Sequence, residues 1–241
     1  MLSVIFFLLV LWCTAIGETT AGVLDQHFRL LERRANRTIY GPVVPMEDTM
    51  STFWKIELWF DHHIKVAMRR FIQFVGWTRT YPVLSAQYSE IQPGVYLGSI
   101  PLNSIVLEDL WTKHQVTNVV NFLHPMEYQD TEGLYDTFGF DELRVPTYDH
   151  AEPRVEDYAA AVDFLRWKLH DQNESVFVHC LSGRTRSAGA VMAYLATLNT
   201  TKSYATIHQQ LLQARPIVNH VLLHRPNLQT YRQVYLRGSK L

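Results

Sequence analysis

The sequence predicts an α/β fold, a mainly parallel sheet with helices on both faces, and three observations predict it. Short apolar and β-branched runs alternate with longer stretches of helical character over residues 87–200. One run, 116–123, reads as a buried strand. Another, Val176-Phe177-Val178-His179-Cys180, feeds a glycine-containing turn, after which the small residues of 187–196 open a buried helix. The chain has 241 residues, 47% of them hydrophobic, enough for one sizeable domain with extensions. A formal net charge of −1 gives no long-range field for nucleic acid, which is excluded as a partner.

Residues 1–20 form a hydrophobic leader. The run 2–16 is broken only by Ser3, Cys13 and Thr14, and Ala15-Ile16-Gly17 offers small residues for cleavage. It falls short of the ~20 residues that span a bilayer. No Lys or Arg precedes Arg29, so the leader fits a secretory signal or membrane anchor best, with an atypical mitochondrial targeting segment and a core segment as alternatives. Cys13 and Cys180 are the two cysteines, which excludes a disulfide framework. A lone reactive thiol favours a reducing compartment and hence an endomembrane anchor over full secretion, the mitochondrial inner membrane being the alternative. Residues 21–50 read as a polar, turn-rich linker.

Within residues 51–80, Phe53, Ile56, Phe60, Ile64, Ala67, Phe71 and Phe74 recur at helical steps, while His62, Lys65, Arg69, Arg70 and Gln73 take the other side. No acidic residue lies between Asp61 and Glu90. This is the pattern of a basic amphipathic helix on an anionic membrane surface, or of a helix packed across the domain with its basic face solvated. The pairs His62-His63 and His220/His224 read as solvated side chains rather than metal ligands.

The main folded domain is expected over 85–241. Pro93-Gly94 is a turn, 95–99 a strand, 104–114 a helix and 116–123 the buried strand; an irregular or helical insert follows over 127–138. The next strand, 141–146, leads into Thr147-Tyr148-Asp149-His150 and a helix over 155–169.

Strand, tight loop and helix N-terminus after Val178 make an anion cradle, because loop N–H groups and the helix dipole converge on one point. Cys180 opens the loop and Arg186 closes it, with Leu181, Ser182, Gly183, Arg184 and Thr185 between. That spacing lets a guanidinium clamp two phosphate oxygens while a thiolate faces phosphorus. The loop must therefore depress the thiol pKa from about 8.5. Ser187 can donate to the sulfur when a phosphocysteine breaks down, and His179 orders the loop rather than acting as a base. Asp149 is the candidate general acid, since loops after parallel strands converge at the carboxyl edge; Asp141 and Asp157 are weaker rivals. No metal or cofactor is required if Arg186 and backbone amides stabilise the transferring group.

The His-Cys-x5-Arg-Ser run resembles the protein tyrosine phosphatase superfamily, and its compact setting looks like a dual-specificity phosphatase. Residues 93–101, 145–149, the Cys180 loop and 215–218 are similar to the mitochondrial members that dephosphorylate phosphatidylglycerophosphate. Those members commonly carry Lys after the nucleophile, where this chain has Leu181. The resemblance implies a cysteine-dependent phosphatase acting on a phosphorylated glycerolipid, with phosphoproteins as the alternative substrate. A phosphate-binding protein without turnover, and a membrane tether whose N-terminal helices dominate, are the other readings.

Overall fold

A computed structural model of the chain describes residues 87–237 apart from 102–103, 126 and 128–132, together with positions 60, 63, 64 and 67. The leader, the linker and nearly all of the basic amphipathic segment lie outside the described residues. Among the described residues no helix is long and apolar enough to cross a membrane.

Strands β1 (Tyr88–Gln92), β2 (Val95–Ser99), β3 (Val116–Leu123), β4 (Asp141–Thr147) and β5 (Ser175–Cys180) form one sheet in the order β1-β2-β5-β3-β4. β1 pairs antiparallel with β2, and every other pairing is parallel, so the sheet is mixed. The antiparallel hairpin turns at Pro93-Gly94, where Gly94 takes φ +82°, a backbone conformation that glycine adopts without a Cβ penalty. β5 enters last, between β2 and β3, which places its carboxyl end at the centre of the sheet with a neighbour on each side. In open α/β sheets ligands bind at that edge, where the strand order reverses.

Alternation along β5 assigns its side chains to two cores. Val176, Val178 and Cys180 face the larger core, with helices α3 (Val155–Arg166), α4 (Arg186–Leu198), α5 (Tyr204–Ala214) and α6 (Pro226–Tyr231). Phe177 faces the smaller core, with α1 (Ser104–His114) and α2 (Leu134–Phe138). Because α4 is wrapped by its neighbours, every residue from Arg186 to Ala196 is buried, as its small and apolar composition requires. Gly189 sits where a Cβ would lie 2.8 Å from the Tyr158 hydroxyl, so α3 and α4 approach closely there.

The strands expected at 95–99 and 116–123 and the helix at 104–114 have the expected bounds. The helix expected over 155–169 keeps α-geometry only to Arg166 and continues as a wider π turn, Trp167–Asp171. That turn carries buried Lys168, whose ammonium reaches Asp141 Oδ2 (2.7 Å) and Gln172 Oε1 (2.8 Å) at the amino edge of the sheet.

Candidate active site

Cys180 ends β5 and is 1% exposed. The chain then turns through Gly183, at φ +66°, where a Cβ would lie 2.3 Å from the Gly98 carbonyl oxygen and 2.9 Å from Arg215 Nη2. Only glycine satisfies both the left-handed backbone and this approach to β2. The loop's carbonyls are held by a second buried arginine: Arg215 Nε donates to Gly183 O (3.1 Å) and Nη2 to Ser182 O (3.5 Å). With its carbonyls turned outward to Arg215, the loop keeps its N–H groups for the interior.

The sulfur receives them. Gly183 N–H donates to Cys180 Sγ at 3.2 Å and the Ser187 hydroxyl donates at 3.3 Å. Burial alone pushes the thiol pKa up, but the Arg186 charge, the Ser187 hydroxyl and the N–H groups of Ser187 and Ser182 outweigh it, so the net direction is down. A thiolate is thereby favoured beyond what an isolated buried cysteine would allow.

Arg186, 2% exposed, opens α4 and spans the carboxyl edge. Its Nη1 donates to Phe122 O (3.1 Å) at the end of β3, to Thr147 O (2.6 Å) at the end of β4 and to Glu127 Oε2 (2.6 Å). Its Nη2 donates to Glu127 Oε1 (3.0 Å) and Asp149 Oδ1 (2.9 Å). None of these groups engages Nε. Burial opposes the charged guanidinium, and the Glu127 and Asp149 carboxylates together with Cys180 more than reverse this, raising its pKa. The cation is thus permanent and fixed in orientation.

Asp149 lies in a turn closed by Ala151 N–H to Tyr148 O (3.1 Å), with His150 in the left-handed region at φ +65°. Its rivals are elsewhere. Asp141 begins β4, at the opposite edge of the sheet, and pairs with Lys168; Asp157 is taken by Arg154 Nη2 (2.8 Å). The structure therefore gathers Cys180, Arg186, Asp149 and Ser187 at one point.

His179 points to the other face of β5, where its Nε2 shares a 2.6 Å hydrogen bond with the Tyr135 hydroxyl and its ring stacks on Phe177. Complete burial lowers its pKa to about 3, so the imidazole is neutral. Leu181 is 1% exposed and packs with Ile100 and Leu123, tying the loop to the ends of β2 and β3. Arg184 is exposed at the rim; its Nε donates to Ile217 O (3.1 Å) and its own carbonyl accepts from Asn219 N–H (3.0 Å). Thr185 stands just before the first turn of α4, as its N-cap residue.

Sequence reasoning missed two participants. Glu127, 3% exposed, is the bidentate counter-charge of Arg186 and accepts from His124 N–H (3.0 Å). Its signal was that no other Asp, Glu, Lys or Arg lies between Lys113 and Asp130. Arg215 belongs to the similar segment 215–218, which by itself assigns it no role. The stack of His124 on Tyr148, with ring centroids 3.8 Å apart, also joins the loop of Glu127 to that of Asp149.

Residues 95–234 match the family model "Dual specificity phosphatase, catalytic domain". The chain is 31% identical over 112 residues to human "Phosphatidylglycerophosphatase and protein-tyrosine phosphatase 1", covering 45% of this chain and 55% of that protein. It is 28% identical over 138 residues to "Phosphatidylglycerophosphate phosphatase PTPMT2" of Arabidopsis thaliana, covering 57% and 58%. The matched region thus spans a little over half the length of these relatives. A crystal structure of PTPMT1 superposes with a TM-score of 0.54 at 25% identity, covering 64% of this chain and 99% of that one. With the matched model extending over 95–234 of 241 residues, the chain belongs to the dual-specificity phosphatase family.

Proposed function

We propose that the chain hydrolyses phosphomonoesters through a phosphocysteine intermediate, and that its substrate is a phosphorylated glycerolipid, phosphatidylglycerophosphate first. The observation that carries the chemistry is the meeting of a thiolate-favouring sulfur with a fixed guanidinium and a carboxylate on an adjacent loop. A bound phosphate takes donors from the loop amides, from Arg186 Nε and from Arg186 Nη2, displacing Asp149 from the last. The Cys180 sulfur then forms the S–P bond as the P–O bond to the alcohol breaks, and protonated Asp149 gives its proton to the departing oxygen. Water next attacks phosphorus, Asp149 accepts its proton, and the S–P bond breaks to release inorganic phosphate. The Ser187 hydroxyl, 3.3 Å from the sulfur, stabilises the thiolate that leaves.

The lipid assignment is supported by the names of the two relatives and by exposed Arg184, whose Nε contact with Ile217 holds a cation at the rim. A lipid headgroup with additional negative charge engages that cation, whereas a simple aryl phosphate does not. Membrane association through residues 1–80 completes this reading, with a mitochondrial or endomembrane surface as the site. The human relative's name also carries protein-tyrosine phosphatase, which makes phosphoproteins the second reading.

The test is Arg184→Ala assayed on phosphatidylglycerophosphate in vesicles, on phosphotyrosine and phosphothreonine peptides, and on a soluble aryl phosphate. The lipid reading expects a loss on the vesicle substrate about tenfold beyond that on the aryl phosphate. Equal losses, or faster turnover of a phosphopeptide than of any lipid, would overturn it while leaving the cysteine chemistry standing.

A further inference from the structure

We infer that Glu152 is a positioning residue for proton transfer, fastening the loop that carries Asp149 to the N-terminus of α6. This rests on the reading of Asp149 as the general acid.

Helix α6 begins with Pro226, which has no N–H, and Arg225 before it provides no side-chain cap. The third residue, Leu228, instead donates its N–H to Glu152 Oε1 at 2.9 Å, so the cap is supplied from the acid loop. Beside it Asn227 Nδ2 donates to Pro153 O at 3.0 Å. Both contacts join the stretch just after Asp149 to an element anchored by buried side chains. Leu228 is 0% and Tyr231 2% exposed, and the Tyr204 hydroxyl donates to Leu228 O at 3.2 Å.

The contacts matter because of what happens to the loop on the other side. Asp149 Oδ1 accepts from Arg186 Nη2 at 2.9 Å. A phosphate that takes this donor removes the Arg186 contact, while His150 Nε2 stays 3.6 Å from Asp149 Oδ2, at the moment the side chain must be aimed at the leaving oxygen. The tie to α6 remains, three residues away, and limits the carboxylate to positions from which it can reach that oxygen. Its neighbour His150, at φ +65°, adds to the need for an external hold, since the left-handed conformation is unfavourable for a residue with a Cβ. The same C-terminal stretch grips the nucleophile loop through Arg215 Nε to Gly183 O (3.1 Å) and Asn219 N–H to Arg184 O (3.0 Å). Residues 215–228 thus span both catalytic loops and set the separation between nucleophile and acid.

A simple loss of stability would lower the active fraction equally for every substrate. Loss of aim slows only substrates whose leaving group needs a proton. The experiment measures kcat/KM of the full chain and its variants on aryl phosphates of graded leaving-group pKa. Asp149→Asn steepens the dependence if Asp149 is the acid. Glu152→Ala is expected to steepen it in the same sense, losing about tenfold with the poorest leaving group and less than about twofold with the best. Glu152→Gln, which keeps an acceptor oxygen for Leu228 N–H, restores the wild-type slope. An unchanged slope or a uniform loss in Glu152→Ala, or a Gln variant as impaired as Ala, overturns the inference. If Glu152→Ala does not fold, Asn227→Ala decides: a steeper slope supports the tie and an unchanged one refutes it. A flat response in Asp149→Asn would instead remove the acid assignment itself.

Discussion

Arg186 is a buried cation, and a buried cation persists only where a counter-charge and hydrogen-bond acceptors replace water. Glu127 supplies both in bidentate form, and the Phe122 and Thr147 carbonyls take up a further donor. Removing one partner of such a pair strands the other, at a cost of about 3–5 kcal/mol. Glu127→Ala should therefore lower the melting temperature sharply and also reduce kcat/KM on an activated aryl phosphate, because a guanidinium without its fork turns toward other acceptors. Glu127→Gln should be less damaging to folding than Ala, since it keeps one acceptor oxygen. Thermal melts and kinetics of the two variants check this. At this scale the nucleophile, the clamp and the hydroxyl beside the sulfur were legible in the sequence, because they share one short loop whose spacing the chemistry dictates. Glu127 and Arg215 were not, because each meets the loop only through the fold, from 59 positions before Arg186 and from 32 after Gly183.

Elements deliver these residues through two local constraints, strand register and the glycine turn. β5 pairs in parallel with β2 so that Cys180 lies beside Ser99, and the loop beyond folds back over Gly98. Gly183→Ala would have to clear a backbone oxygen at 2.3 Å and abandon φ +66°. The loop must then shift away from Arg215, and its N–H groups turn from the sulfur. The expected outcome is a loss of phosphate affinity and of turnover larger than the loss of stability, seen as weaker inorganic-phosphate inhibition together with lower kcat. Wild-type inhibition by phosphate in this variant would refute the cradle geometry. The strands and helices from Val95 to Leu198 were readable because apolar runs and turn residues alternate cleanly there. β1 was not anticipated, since Tyr88–Gln92 has only Ile91 buried and forms an edge. α5 and α6 were also missed, α6 being a six-residue helix that owes its start to a carboxylate from another part of the chain.

For the whole molecule, the buried imidazole of His179 shapes the pH dependence of folding. Burial depresses its pKa from 6.5 to about 3, so between these values the unfolded chain binds a proton that the folded chain does not. Its contribution is fully present above pH 6.5 and falls as pH drops toward about 3, by about 1.4 kcal/mol per pH unit. Stability of the wild type should therefore decline from pH 6.5 to 4.5 more steeply than that of His179→Gln, measured by urea denaturation at several pH values. Parallel slopes would mean that the imidazole is charged in the folded state. The two cores that flank the sheet place this neutral ring against Tyr135 and Phe177 on one side and the sulfur on the other. The mechanism that this architecture supports predicts that Asp149→Asn is slow in both proton-transfer steps, so the covalent intermediate accumulates when the leaving group is good. Rapid acid quench of Asp149→Asn with an activated aryl phosphate, followed by peptide mapping, decides whether the nucleophile is the Cys180 sulfur. A phosphoryl group is expected on Cys180 and none in the Cys180→Ser counterpart; a phosphoryl group on Ser182 or Ser187 instead, or steady turnover by Cys180→Ser, would exclude the phosphocysteine mechanism.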